Sequence, residues 1–132
     1  MKIKTALYGS NGHQIHRLLA GHDKAELVAV CAFNRENLPG ILRENQNIKY
    51  YADLDAMLEN PEVELVSLCS PVRAGQAADA IKCLRSGRHV YAEKPCALSE
   101  RDLDKIIKTA EDKKDKGEND GKEGETYKPE RR

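Results

Sequence analysis

Gly9 and Gly12 stand three residues apart in the stretch YGSNGHQIH, between the apolar run Ile3-Lys4-Thr5-Ala6-Leu7 and the pair Leu18-Leu19. Glycines at a strand-to-helix turn let an anion approach the backbone N–H groups with no Cβ in the way. The N–H groups around Ser10, Asn11 and His13 are therefore the candidate cradle, and a dinucleotide's diphosphate is the ligand that such a turn takes in an α/β sheet. The match to the Gly-x-Gly-x-x-Gly fingerprint is partial: the spacing is Gly-x-x-Gly, and Ile15 stands where a third glycine or alanine would. A bare tight turn is the alternative for two glycines, and the strand-to-helix setting favours the cradle.

A second group of residues with chemical capacity is Glu93-Lys94-Pro95, directly after the strand-like His89-Val90-Tyr91-Ala92. Ser70-Pro71 breaks another apolar run, Val63 to Cys69. Both lie at the carboxyl ends of strands, where open α/β sheets place their ligands. His13 and His16 are three apart, yet no Asp, Glu or Cys in that turn completes a metal set, so His13 is placed beside the phosphate turn and His16 on a helix face. Cys31, Cys69, Cys83 and Cys96 are widely spaced, without a Cys-x-x-Cys pair or a histidine at finger spacing, which predicts reduced thiols and no structural zinc.

The elements that must hold these residues read as alternating strands and helices. Ile3–Tyr8, Glu26–Phe33, Val63–Cys69 and His89–Ala92 are short apolar or β-branched runs, as expected of parallel strands covered on both faces, and Ile48-Lys49-Tyr50 is a further short candidate. Helical patterns occupy Gly12–Ala20, Leu54–Leu58 behind an Asp53 cap, and Ala74–Leu84 before a Ser86-Gly87 stop. A last helix starts at Ser99, with Asp102 three residues on and Leu103, Ile106, Ile107 and Ala110 at helical spacing. The expected fold is α/β: a Rossmann-like, doubly wound parallel sheet in a single domain with a charged C-terminal tail.

Composition agrees with one domain. The chain has 132 residues, and its 22 Lys plus Arg balance 22 Asp plus Glu, so no net field recommends nucleic acid or an anionic membrane as partner. The first residues lack the unbroken apolar run of a signal peptide or membrane span, and the expected location is cytoplasmic. After about Ala110 no aliphatic side chain remains, and charge, glycine and proline dominate. We therefore divide the chain into a nucleotide-binding domain, residues 1–115, and a charged, disordered tail, residues 116–132.

The order of these motifs resembles the nucleotide-binding half of the Gfo/Idh/MocA family of oxidoreductases. The resemblance is carried by Gly9 and Gly12, Ser70-Pro71, Ser86-Gly87-Arg88-His89-Val90 and Glu93-Lys94-Pro95, and extends from about Lys2 to Ala110. It implies NAD or NADP as cofactor and hydride exchange with a carbon bearing a hydroxyl, in a sugar, polyol or related compound. By the same resemblance Lys94 is the catalytic residue, orienting the hydroxyl and assisting proton transfer. Gly9, Ser10, Asn11, Gly12, His13, Asn34, Arg35, Ser70, Pro71, Glu93, Lys94 and Pro95 are the expected cofactor-binding residues. Glu93 either holds its turn or touches cofactor, and Pro95 sets the chain's direction after the strand.

Departures from that pattern carry information too. The second strand should end with an acidic residue for the adenosine ribose, yet Ala32-Phe33 stand there and Asn34-Arg35 follow. Loss of that carboxylate removes repulsion against a 2′-phosphate and Arg35 can pair with one, a lean toward NADP; a solvated loop arginine is the alternative. Val72-Arg73-Ala74-Gly75 replaces an Asn-x-x-His pattern near the nicotinamide. A second α/β domain, which supplies the substrate pocket in the family, is expected to be missing, so a separate substrate domain becomes an expected partner and catalysis by this chain alone is expected to be incomplete. The alternatives are a nucleotide-binding module or sensor that works through a partner protein, and an inactive truncated product.

Overall fold

The structure, a computed structural model, describes residues 1–117, with side chains through residue 114. Five strands form one sheet: β1 (Ile3–Tyr8), β2 (Ala25–Cys31), β3 (Lys49–Tyr51), β4 (Leu65–Leu68) and β5 (His89–Ala92). All pairings are parallel and the order is β3-β2-β1-β4-β5, so the chain winds outward in one direction from β1 and then returns to wind in the other. The helices are α1 (Gly40–Arg43), α2 (Leu54–Leu58), α3 (Gln76–Arg85) and α4 (Glu100–Gly117). The expected tail lies, from residue 118 on, outside the described residues; residues 116 and 117 close α4.

Side-chain alternation along β1 divides the core in two. Ala6 and Tyr8 face a cluster with Ala29, Cys31, Val66 and Leu68 from the sheet and Leu54, Met57, Ala80 and Cys83 from α2 and α3. Leu7 faces the other way, onto Leu27, Val30, Leu38, Leu42 and Ile48, with Ile15, Ala20 and Phe33 at the margin. Burial on both faces is why the strands read as continuous apolar runs instead of alternating ones. Each fully buried large side chain, such as Leu7, Met57 or Leu68, contributes about 1.5–3 kcal/mol to that core. The register of β2 against β1 slips between Thr5 and Ala6, skipping Val28.

Several local predictions hold. Asp53 caps α2, its carboxylate accepting the Ala56 N–H at 2.8 Å. The Ser99 hydroxyl accepts from Asp102 N at 3.1 Å at the start of α4, and Ser86 with Gly87 stops α3. One expectation fails: residues 12–20 are no helix but a series of turns. The Gln14 side chain explains this. Its amide donates to Gly9 O at 3.0 Å and Ser67 O at 3.2 Å, while its carbonyl accepts from Ser67 Oγ at 2.6 Å and Ile15 N at 2.9 Å. Pinning Gln14 to the ends of β1 and β4 holds residues 13–15 out of helical conformation, and Gly21 turns the chain at φ +71° before a second turn can build.

Candidate functional site

The strand order reverses between β1 and β4, and the loops leaving those two strands meet at their carboxyl ends. Gly9 continues β1 with φ +81°, and a Cβ there would overlap the carbonyl oxygen of Cys69 and reach 3.1 Å from Pro71 Cδ. Asn11 completes the seam: its N–H donates to Cys69 O at 3.2 Å, its side-chain amide to Pro71 O at 3.4 Å, and its carbonyl accepts from the Arg73 guanidinium. The glycine turn is thus stitched to the Ser70-Pro71 loop before any ligand is considered.

Gly12, at φ +123°, serves a different neighbour. A Cβ there would lie 2.7 Å from Cγ and 2.9 Å from Cδ of Glu93. The Glu93 carboxylate accepts the His13 backbone N–H through Oε2 and the Lys94 N–H through Oε1 at 2.9 Å, with His13 Nδ1 3.2 Å from Oε2. Its side chain is only 9% exposed, whereas the His13 side chain is 92% exposed. The His13 N–H bond above all, then the Lys94 N–H bond, holds this carboxyl below its ordinary value of 4.5. An anion therefore already sits on the glycine turn, supplied by the chain itself.

Gln76 ties the remaining pieces together. It is fully buried; its carbonyl oxygen accepts from Ser70 N at 3.0 Å and Arg73 Nη1 at 3.1 Å, and its amide donates to Glu93 O at 2.5 Å and Pro95 O at 3.4 Å. Ser70 is also enclosed, its hydroxyl donating to Asp79 at 2.8 Å, so its side chain acts within the fold. The Lys94–Pro95 peptide bond is cis, and Lys94 and Pro95 are both exposed. The role of Gln76 was not anticipated from the sequence. The available signal was its spacing: with Ala80 and Cys83 it falls at i, i+4, i+7 on the buried stripe of α3, a polar residue where an apolar one belongs.

Asn34 and Arg35 follow β2, one strand away from the glycine turn. Asn34 caps a short 3-10 helix, Arg35–Asn37, by accepting the Glu36 N–H at 3.0 Å. Arg35 donates to Arg43 O at 3.0 Å and lies 5.4 Å from the centre of the Tyr50 ring. Ala32, at the position of the missing acid, takes φ +53°, a left-handed conformation uncommon outside glycine, asparagine and aspartate. His16 lies in the turn series and not on a helix, tilted against Phe33 at 5.0 Å between ring centroids; burial, then Arg17, pushes its pKa below 6.5. Cys69 and Cys83 are buried thiols with raised pKa values, Cys83 to about 12, which keeps them protonated and structural.

Other depressions lie away from these loops. A cavity of about 260 Å³ between α3 and α4 is lined by Arg85, Lys105, Lys108, Thr109, Asp112 and Lys113. No described helix is long and apolar enough to cross a membrane.

Comparison with known proteins agrees with this fold. Residues 3–117 match the family model GFO_IDH_MocA, described as an oxidoreductase family with an NAD-binding Rossmann fold. The chain is 31% identical over 104 residues to 2,7-anhydro-N-acetylneuraminate hydratase of Escherichia coli (strain K12), covering 79% of this chain and 27% of that protein. It is 30% identical over 85 residues to myo-inositol 2-dehydrogenase of Thermotoga maritima, covering 64% of this chain and 25% of that one. Among solved structures, the WlbA dehydrogenase from Bordetella pertussis, in complex with NADH and UDP-GlcNAcA, superposes with a TM-score of 0.69 at 28% identity, over 86% of this chain and 35% of that chain. The chain thus spans about a quarter to a third of the length of these relatives.

Proposed function

The chain belongs to the Gfo/Idh/MocA oxidoreductase family and carries its NAD-binding Rossmann fold, and on that premise we propose that it holds a pyridine dinucleotide across the carboxyl ends of β1 and β4 for oxidoreduction of a sugar, polyol or related hydroxyl compound. One observation supports the cradle most directly: the turn between Gly9 and His13 already seats an anion, the Glu93 carboxylate, on a backbone N–H. The residues present therefore fit a phosphate-bearing cofactor, and Gly12 keeps the space above the turn free of a Cβ.

In this reading the turn Gly9, Ser10, Asn11, Gly12 and His13 lies under the diphosphate with the His13 N–H as a donor to it, Asn34 and Arg35 face the adenosine ribose, and Pro71, Glu93, Lys94 and Pro95 border the nicotinamide, backed by the buried Ser70. The bound nicotinamide supplies the hydride acceptor or donor. Lys94 orients the substrate hydroxyl and passes its proton, from a backbone fixed by the Glu93 carboxylate and the Gln76 amide. Ala32 in place of an acid, with Arg35 close behind it, favours NADP over NAD. Enclosure of the substrate by a further domain and a cytoplasmic setting belong to the same reading.

The test is a thermal shift with NAD and with NADP. A ligand at about a hundred times its dissociation constant stabilises the fold by roughly 2.7 kcal/mol, which is easily measured. An upward shift with either cofactor is expected, and a folded sample unmoved by both at millimolar concentration removes the reading.

A further inference from the structure

Three N–H groups of the glycine turn are spent on main-chain carbonyls. Gly9 N donates to Cys31 O at 3.0 Å, Asn11 N to Cys69 O at 3.2 Å, and Gly12 N to Ser10 O at 3.0 Å. His13 N is the donor in this turn that is given to a side chain, and that side chain is Glu93. The Cys31 and Cys69 carbonyls lie at the ends of β2 and β4 and cannot leave without unmaking the sheet there, whereas a carboxylate can rotate away. The overlap at Gly12 points the same way: the Glu93 methylene and carboxyl fill the space that a glycine at this position keeps open.

We propose that Glu93 is an internal anion that competes with the cofactor diphosphate for the His13 N–H, so that cofactor capture proceeds by displacing Glu93 and this residue sets the affinity. The inference rests on the dinucleotide reading above and deepens it. Like charge on a shared donor makes the two occupants mutually exclusive: a phosphate oxygen on His13 N would stand directly against the Glu93 carboxylate. Displacement also unties Lys94, because Glu93 Oε1 holds its N–H in the resting arrangement. Cofactor arrival and release of the Lys94 backbone from this contact are then one event.

Calorimetric titrations with inorganic pyrophosphate, NAD and NADP, on the wild-type chain, Glu93→Gln and Glu93→Ala, separate the outcomes. Removing the competing charge should tighten pyrophosphate and the preferred dinucleotide by about tenfold, the exchange of a charged for a neutral acceptor on one donor. Equal or weaker binding by both folded variants overturns the proposal while leaving the dinucleotide reading intact. Tighter pyrophosphate without dinucleotide binding in any form keeps the competition and removes the cofactor. If no form binds either ligand, the cradle and the proposal fall together. Should the variants fail to fold, amide and carboxyl NMR of the wild-type chain decides: saturating pyrophosphate should shift the His13 amide and return the Glu93 titration toward 4.5. Signals of both residues unchanged at saturation overturn the competition.

Discussion

A single buried amide, Gln76, joins the loop after β4 to the loop after β5. Replacing it with leucine keeps the volume but leaves the buried Ser70 N–H and the part-buried Glu93 carbonyl without their partner. Each buried group left unsatisfied costs about 1–3 kcal/mol, so Gln76→Leu should lower the urea midpoint clearly and weaken cofactor binding with it. An unchanged midpoint would mean that the loops hold one another without Gln76. Two other residues set the response to acid. Burial holds the folded-state pKa of His16 below 6.5, so the unfolded chain takes its proton first; the stability it contributes is fully present above pH 6.5 and is lost as pH falls toward that lowered value. For Glu93 the bonds from His13 and Lys94 act likewise on a lower range: its contribution is full above 4.5 and is lost as pH falls through its lowered value. Urea midpoints should therefore fall in two stages on acidification. His16→Phe should shrink the upper stage and Glu93→Gln the lower, and a single stage untouched by either variant would contradict both assignments.

Between residues and the whole lie the elements, and here the sequence was legible where periodicity was strong. All five strands, the Asp53 cap of α2 and the Ser99 start of α4 follow from apolar runs and capping residues, because those signals are local and cooperate with burial. The turn series at residues 12–20 was misread as a helix since Ile15, Leu18 and Leu19 have helical spacing; the deciding contact is Gln14 with Ser67, which is 53 residues away. Gln76 and the seating of Glu93 on His13 were hidden for the same reason, as each depends on loops that adjoin only after the sheet forms. In the proposed reading the end of β2 carries the cofactor preference. Charge-assisted bonds to a phosphate contribute about 1.5–3 kcal/mol, so Arg35→Ala should weaken NADP selectively, although freeing Arg35 from the Arg43 carbonyl offsets part of the wild-type gain. Ala32→Asp should act in reverse, restoring a ribose acceptor and repelling a 2′-phosphate, at no backbone cost because aspartate tolerates the left-handed conformation that Ala32 already adopts. Paired NAD and NADP titrations of the two variants test this, and affinity ratios that stay at the wild-type value would place the choice elsewhere.

At the scale of the molecule, holding a cofactor and using it are separable. Lys94 is exposed on a loop that borders the glycine turn, and in the proposed reading it brings one functional group to the chemistry. Hydride transfer also needs the donor carbon held against the nicotinamide, and such positioning accounts for about 7–11 kcal/mol of a barrier. The described loops cradle an anion on one side, while the Lys94 side faces solvent. A substrate hydroxyl there meets competing water, and an open, high-dielectric surface weakens each polar contact that would orient it. The 132-residue chain is therefore expected to bind dinucleotide and to turn over sugars, polyols and inositols slowly or not at all. Reduced-cofactor absorbance with a substrate panel measures this, and Lys94→Met serves as the control that retains the loop while removing the ammonium. Robust turnover that Lys94→Met abolishes, with cofactor affinity unchanged, would show that the lysine acts as assigned and that a substrate needs no further enclosure. Weak turnover that survives Lys94→Met would remove the lysine from the chemistry and leave these loops a cofactor-binding role alone.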